Sequence, residues 1–212
     1  MASDGHLHPG RPRDPEVDER IIEATLQIFE KKGWNGLTLE RVARQAKTGK
    51  TSLYSRWSSK EELLTAALVW YRDQYGHRPD PALSVSEQLI DDVCAMAEYI
   101  LGPHGLAWLR FEIESRALPV EFRSIRDKLT NRRRDSRLRF LRAAIDRGAL
   151  SPTVVPEHLL EAINGNALGH ILGAEPETAR EMLDDVRTWA TQIVDRQLDA
   201  SSHKASQGAA SL

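Results

Sequence analysis

The sequence predicts an all-α protein: a small N-terminal three-helix unit followed by a larger helical body. Three observations lead there. Apolar residues recur at helical spacing along most of the chain, and nowhere alternate with period two over the length of a strand. Helix starts and stops follow one another at short intervals. Ser59 and Ser84 each have a glutamate three residues on, and Gly33, Gly102, Gly148 and Gly173 close apolar runs. No Asn-Gly or Asp-Gly turn lies between two apolar runs. About nine helices with short connections follow, the pattern of an all-α fold.

Residues 1–13 read as a flexible arm, rich in Gly, Pro and His. Asp14-Pro15-Glu16 starts the first helix: a capping oxygen, a proline at the first helical position and an acid near the positive dipole end. Ile22, Leu26 and Phe29 share one face, and Gly33 ends the helix so that Trp34 can pack back. Thr38 caps a short helix carrying Leu39, Val42, Ala43 and Ala46. A turn at 47–50 leads to a second short helix, Thr51 to Trp57, anchored by Leu53 and Trp57. Ser59 and Glu62 form a capping box for a long helix to about Gln74, broken by Gly76 to Pro81. Ser84 and Glu87 do the same for a helix to about Leu101. A helical stretch covers about 105–116. Pro119 starts a helix running to Gly148, Pro156 starts one ending near Gly173, and Pro176 starts the last, to about Ala200. The final stripe is Ala179, Met182, Val186, Trp189, Ala190, Ile193 and Gln197, and Ser201–Leu212 read as a disordered tail.

Composition narrows the function. With 212 residues, 41% hydrophobic and 28% charged, the chain fits one or two ordinary globular domains. It has no run of about 18 apolar residues and no apolar leader, so a cytoplasmic protein is expected. Cys94 is the single cysteine, which excludes a disulfide framework or a Cys-rich zinc site. The net charge of −2 hides a split. Residues 1–60 carry +3 and the remainder −5. Within 41–60 stand Arg41, Arg44, Lys47, Lys50, Arg56 and Lys60, with no acid. That is either a solvated basic face or the footprint of a polyanion.

The residue pattern there favours DNA. Two short helices with a tight turn behind one supporting helix describe a helix-turn-helix over about 38–57. Lys50, Thr51, Ser52, Tyr54, Ser55 and Arg56 supply hydrogen-bonding groups around the second, reading helix. Gly49 opens it with free backbone N–H groups suited to phosphate, and Lys60 and Thr38 stand at neighbouring helix starts.

The segment Arg20–Phe29, then Gly33-Trp34, Thr38–Ala46, Lys50–Tyr54, Trp57 and Ser59–Leu64 closely resembles the TetR-type transcriptional regulators. The resemblance spans about residues 15–68; beyond it, only the layout of helices agrees. It implies a DNA-binding domain over 14–60 and a ligand-binding and dimerisation domain over 61–200. It further implies a homodimeric repressor that leaves a near-palindromic operator when a small molecule binds. Alternatives are a regulator that activates or needs no ligand, and a ligand-binding protein with weakened DNA binding. By position, Thr38, Lys50, Thr51, Ser52, Tyr54, Ser55 and Lys60 match DNA-contacting places, Tyr54 and Lys60 as phosphate grips. Arg44 and Arg56 join them on charge. The turn Lys47-Thr48-Gly49 departs from the family's Gly–apolar–Ser/Thr. It requires Lys47 to take a left-handed backbone at a cost of order 1 kcal/mol, offset if Lys47 contacts phosphate.

Other signals carry less. Gly49-Lys50-Thr51-Ser52 ends like a phosphate-binding loop, but Arg44 stands where the pattern needs glycine. No cofactor, metal site or catalytic cluster is expected: His6, His8, His104, His158 and His170 are scattered, and Cys94 reads as a small core residue. The Arg-rich stretch 123–147 reads as an amphipathic helix with a basic outer face and the stripe Phe122, Ile125, Leu129, Ser136, Phe140, Ala144. Arg133 and Ser136 break that stripe and are candidates to face an acidic ligand. Met96, Tyr99, Trp108, Phe111 and Phe140 are candidate pocket walls, or plain core. Gly165 and Gly169, four apart, permit close helix approach. With Ala162, Leu172, Met182, Val186, Trp189 and Ile193 they form the expected dimer face, or pack within one subunit.

Overall fold

The computed structural model describes residues 15–75, 82–175, 177–178 and 181–209, with side chains as far as Ser201. The expected arm and Asp14, the break at 76–81, Pro176 and Ala179 lie outside the described residues. Among those described, the chain is helical, with no strand.

The N-terminal unit comprises α1 (Pro15–Gly36), α2 (Leu39–Gln45) and α3 (Lys50–Tyr54). Gly33 interrupts α1 with φ 63° and ψ −167°, so the chain turns there as its glycine predicts. Thr38 caps α2, its hydroxyl accepting from the Arg41 N–H at 3.3 Å. Lys47 holds φ 51° in the turn, the left-handed position that its place demanded. The reading helix is shorter than expected. Regular helix ends at Tyr54, although the Trp57 N–H still bonds the Leu53 carbonyl at 3.0 Å.

The body comprises α4 (Lys60–Gln74), α5 (Val85–Leu101), α6 (Gly105–Ala117), α7 (Arg123–Arg126), α8 (Arg132–Asp146), α9 (Pro156–Gly173) and α10 (Val186–Ala209). Ser84 and Glu87 complete their capping box. At α4 the box is shifted. Ser59 caps Glu62, but the Glu62 carboxylate accepts from the N–H and hydroxyl of Ser58 instead, both at 2.8 Å. α1 packs on α2, α4 and α6, and α10 packs on α5 and α9. One core runs through both units, from Leu26 and Phe29 through Leu64 and Phe111 to Leu160 and Val194.

Three expectations are corrected. No helix starts at Pro119; a turn runs to Phe122, then α7, a π turn at Asp127–Asn131 and α8. The π turn holds one extra residue and advances the helix register by about one position. The buried face therefore passes from Leu129 to Leu138, Leu141 and Ala144, and Ser136 is exposed. The last helix begins at Val186, ten residues later than expected, after a 3₁₀ turn at Glu181–Leu183. Asp184-Asp185 precede it as acids at a positive helix end. The expected tail is helical through Ala209. The Ser201 hydroxyl bonds the Gln197 carbonyl at 2.7 Å, and no proline or glycine interrupts before Gly208.

Candidate DNA interface and its connection to the body

The basic segment divides into exposed groups and groups held inside the fold. Lys50, Thr51 and Ser55 are exposed along α3, and Gly49 opens it with nothing near its α-carbon. Lys47 and Arg44 are exposed beside them, and Thr48 and Thr38 are half-buried. Arg56 is turned inward. Its Nε donates to Asp18 of α1 at 2.5 Å, and Nη1 donates to the Ser52 hydroxyl and carbonyl at 2.6 and 2.8 Å. The guanidinium is only 14% exposed, so Arg56 and Ser52 brace α3 against α1. Lys60 likewise points inward. Nζ donates to the Trp34 carbonyl at 3.0 Å and lies 4.0 Å from the Trp34 ring centroid. Burial lowers its pKa.

Tyr54 is 46% exposed, but its hydroxyl donates to Glu40 of α2 at 2.8 Å. That bond raises the Tyr54 pKa, and backbone hydrogen bonding at Glu40 followed by the Tyr54 bond lowers the Glu40 carboxyl. A phosphate would have to compete with Glu40 for this proton. Beside α3, α1 and α2 enclose a groove of about 410 Å³ lined by Gln27, Ile28, Lys31, Lys32, Arg41, Arg44 and Gln45, four cations and no acid.

The N-terminal unit is fastened to the body at two places. At the Trp34 joint, the N–H donates to Glu114 of α6 at 2.8 Å, the carbonyl accepts from Lys60 of α4, and the ring lies 4.9 Å from Phe122. A side chain at Gly33 would meet Glu114 at 2.2 Å, so glycine is needed for space as well as for φ. The second fastening is His104, buried ahead of α6. Nε2 lies 2.8 Å from Glu23 and Nδ1 3.2 Å from Glu30, both of α1. The His104 backbone N–H donates to Tyr71 Oη at 3.2 Å, and that hydroxyl donates to the Tyr99 carbonyl at 2.7 Å.

Tyr99 is also one end of an aromatic row. Centroids step from Tyr99 to Trp108 at 5.0 Å, Phe111 at 5.2 Å, Phe122 at 5.8 Å and Trp34 at 4.9 Å. Of the candidate pocket residues, Met96 and Tyr99 lie on α5, and Arg133 of α8 reaches the same helix at Asp92. Trp108 meets Tyr99 edge to face, and Phe111 is core. Phe140 lies apart, half-buried near Arg147, and Ser136 faces outward because of the π turn.

Gly165 and Gly169 do not pack inside the subunit: a side chain on either would touch nothing within 4 Å. They line an open groove of about 610 Å³ between α9 and α10 with Ala162, Trp189 and Ile193. Leu172 is 58% exposed beside them. Met182 is half-buried on the 3₁₀ turn, where its carbonyl accepts from the Trp189 indole at 3.1 Å, and Val186 begins α10.

Comparison with known proteins identifies the head. Residues 21–67 match the model of bacterial regulatory proteins of the tetR family. They form a TetR-family DNA-binding domain. An uncharacterized HTH-type transcriptional regulator of Mycobacterium tuberculosis is 26% identical over 187 residues, 83% of this chain and 90% of that protein. The fold of the MexZ repressor of Pseudomonas aeruginosa matches with a TM-score of 0.66 at 16% identity, covering 89% of this chain and 96% of that one. FadR of Bacillus subtilis, solved with stearoyl-CoA, matches with a TM-score of 0.63 at 15% identity, covering 85% and 97%. Those proteins are named as regulators of transcription, and residues 21–67 give this chain a DNA-binding head of the same kind. In the TetR-family domain, sequence reasoning missed the inward use of Arg56 and Lys60, since their partners Asp18 and Trp34 lie far off in the chain. It also omitted Lys31 and Lys32 from the basic surface; their spacing on α1 opposite Arg41 and Arg44 was the available signal. Among the described residues no helix is long and apolar enough to cross a membrane, and no His, Cys, Asp or Glu cluster could hold a metal.

Proposed function

We propose that the protein is a homodimeric repressor, acting in the cytoplasm, that leaves a near-palindromic operator when a small molecule binds its body. The observation that carries this is the exposed reading surface of α3. Lys50, Thr51 and Ser55 offer donors to base edges. Thr38, Arg44, Lys47, Thr48 and the amides after Gly49 hold phosphates, and the groove cations Lys31, Lys32 and Arg41 extend that contact. Arg56, Lys60 and Ser52 position the reader.

The outward glycine face of α9 with α10 supports pairing of two copies. A symmetric contact would set two reading helices roughly 34–36 Å apart, one turn of DNA. Domains of 14–60 and 61–200 fit the junction at α4, whose first residue, Lys60, is bonded to Trp34. Release by ligand is supported by FadR, a neighbour of the same fold that holds an acyl-CoA. It is supported as well by the two connections from Tyr99 to α1, one hydrogen-bonded through Tyr71 and His104, one through the aromatic row. A ligand that displaces Tyr99 would act on α1 without touching DNA.

Selection of genomic fragments by the purified protein, followed by footprinting, tests the reading. A protected site of two related half-sites is expected. Failure to retain any fragment above a non-specific background refutes it.

A further inference from the structure

Tyr99 has a buried hydroxyl that nothing in the fold uses. The residue is 7% exposed, and its Oη has no hydrogen-bond partner among the described residues. A phenylalanine would fill this place at less cost, because a buried hydroxyl without a partner has lost its water for nothing in return. Asp92, Met96 and Tyr99 stand at i, i+4 and i+7 on the α5 face that meets α8. From α8, Arg133 and Arg137 both reach Asp92. Arg137 makes the hydrogen bond, and Arg133 stays 3.7 Å away, beyond hydrogen-bond length. Arg133 thus shares Asp92 with Arg137 as an ion-pair partner, and its guanidinium, on a side chain 37% exposed, makes no hydrogen bond among the described residues.

The charged groups facing the phenol are Arg133 of α8, Arg72 of α4 and Glu112 of α6. Glu112 already pairs with Arg116, and Arg72 with Asp73. Arg137 and Arg72 both disfavour charge on Arg133, after burial itself. The place thus combines surplus positive charge, unused donors and one apolar wall, Trp108 at 5.0 Å from the Tyr99 ring. A cationic ligand would meet the charge of Arg133, while the phenol itself can donate or accept. An anion pairs with Arg133 and accepts from the unpaired Tyr99 hydroxyl.

We propose that the effector is an organic anion, its carboxylate or phosphate held between the Arg133 guanidinium and Tyr99 Oη and its apolar body laid against Met96 and Trp108. This rests on the ligand-responsive reading above and names the ligand class. Contact at Oη moves the residue from which both connections to α1 begin.

The test is a titration of the full-length protein, without DNA, followed by tryptophan fluorescence and calorimetry. The probes are benzoate, octanoate and benzyl phosphate, against benzamide and octanamide. At least one anion is expected to saturate, about tenfold or more tighter than its neutral amide, and to lose about tenfold in Arg133→Gln. Tyr99→Phe is expected to bind that anion several-fold more weakly while melting no lower than the parent without probe. Amides that bind as well as acids, unchanged binding in Arg133→Gln, or no saturation by any anion at millimolar concentration would overturn the proposal. So would a Tyr99→Phe protein that melts several degrees lower, since Oη would then be holding the fold. Because no DNA is present, failure of operator binding and failure of the anion site are read separately.

Discussion

Replacing Arg56 by alanine separates bracing from DNA contact. The side chain gives up a charged hydrogen bond to Asp18 and two bonds to Ser52. A charge-assisted bond contributes about 1.5–3 kcal/mol where it is shielded. Asp18 is 34% exposed, which puts this pair near the lower end. The Ser52 bonds lie within one helical turn and add a few tenths of a kcal/mol each. A loss of about 2 kcal/mol is expected, or about 4–8 °C in Tm for a chain of this size. Urea melts and thermal scans measure it. DNA binding should weaken because α3 is less firmly held, yet the slope of log affinity against log salt should not change, since that slope counts neutralised phosphates. Lys50→Ala provides the contrast: stability stays within about 0.5 kcal/mol and the slope falls by about 0.9. If Arg56→Ala flattens the slope by about one unit and leaves Tm in place, Arg56 grips phosphate and the bracing role is wrong.

Lys60→Ala should cost about 1–2 kcal/mol through the Trp34 joint and leave the salt slope unchanged; a slope lower by about one would return Lys60 to the phosphate backbone. Lys47→Gly should raise stability by up to about 1 kcal/mol, because glycine takes φ 51° without strain; a lower Tm would show that the lysine side chain supports the turn. Gly169→Arg should give a monomer by light scattering with unchanged circular dichroism, and a variant that remains dimeric moves the self-contact off this face.

Local chemistry was legible in the sequence. Ser84 with Glu87, Thr38, Gly33 and the strained Lys47 each declare their geometry through neighbours within four residues, and the structure places them as read. What needed tertiary knowledge was not. Arg56 and Lys60 look like free cations because Asp18 and Trp34 are remote in sequence. His104 looks incidental until α1 brings Glu23 and Glu30 to either side of its ring. The π turn has no sequence mark, and it alone moved Ser136 off the inner face and brought Leu138 and Leu141 onto it. The outward setting of Gly165 and Gly169 depends on where α10 lies, and α10 began ten residues later than its proline suggested.

The two fastenings on α1 determine what kind of joint the reading head has. Glu23 and Trp34 are eleven residues apart, with the break at Gly33 between them. A body held at one point could swivel in any direction. Here the two fastenings add to the packing of α1 on α4 and α6, so head and body are joined along the helix. The carboxylates of Glu23 and Glu30 both depend on one imidazole, and a neutral imidazole can donate to only one of them at a time. At the other fastening Trp34 is held through its N–H, its carbonyl and its ring.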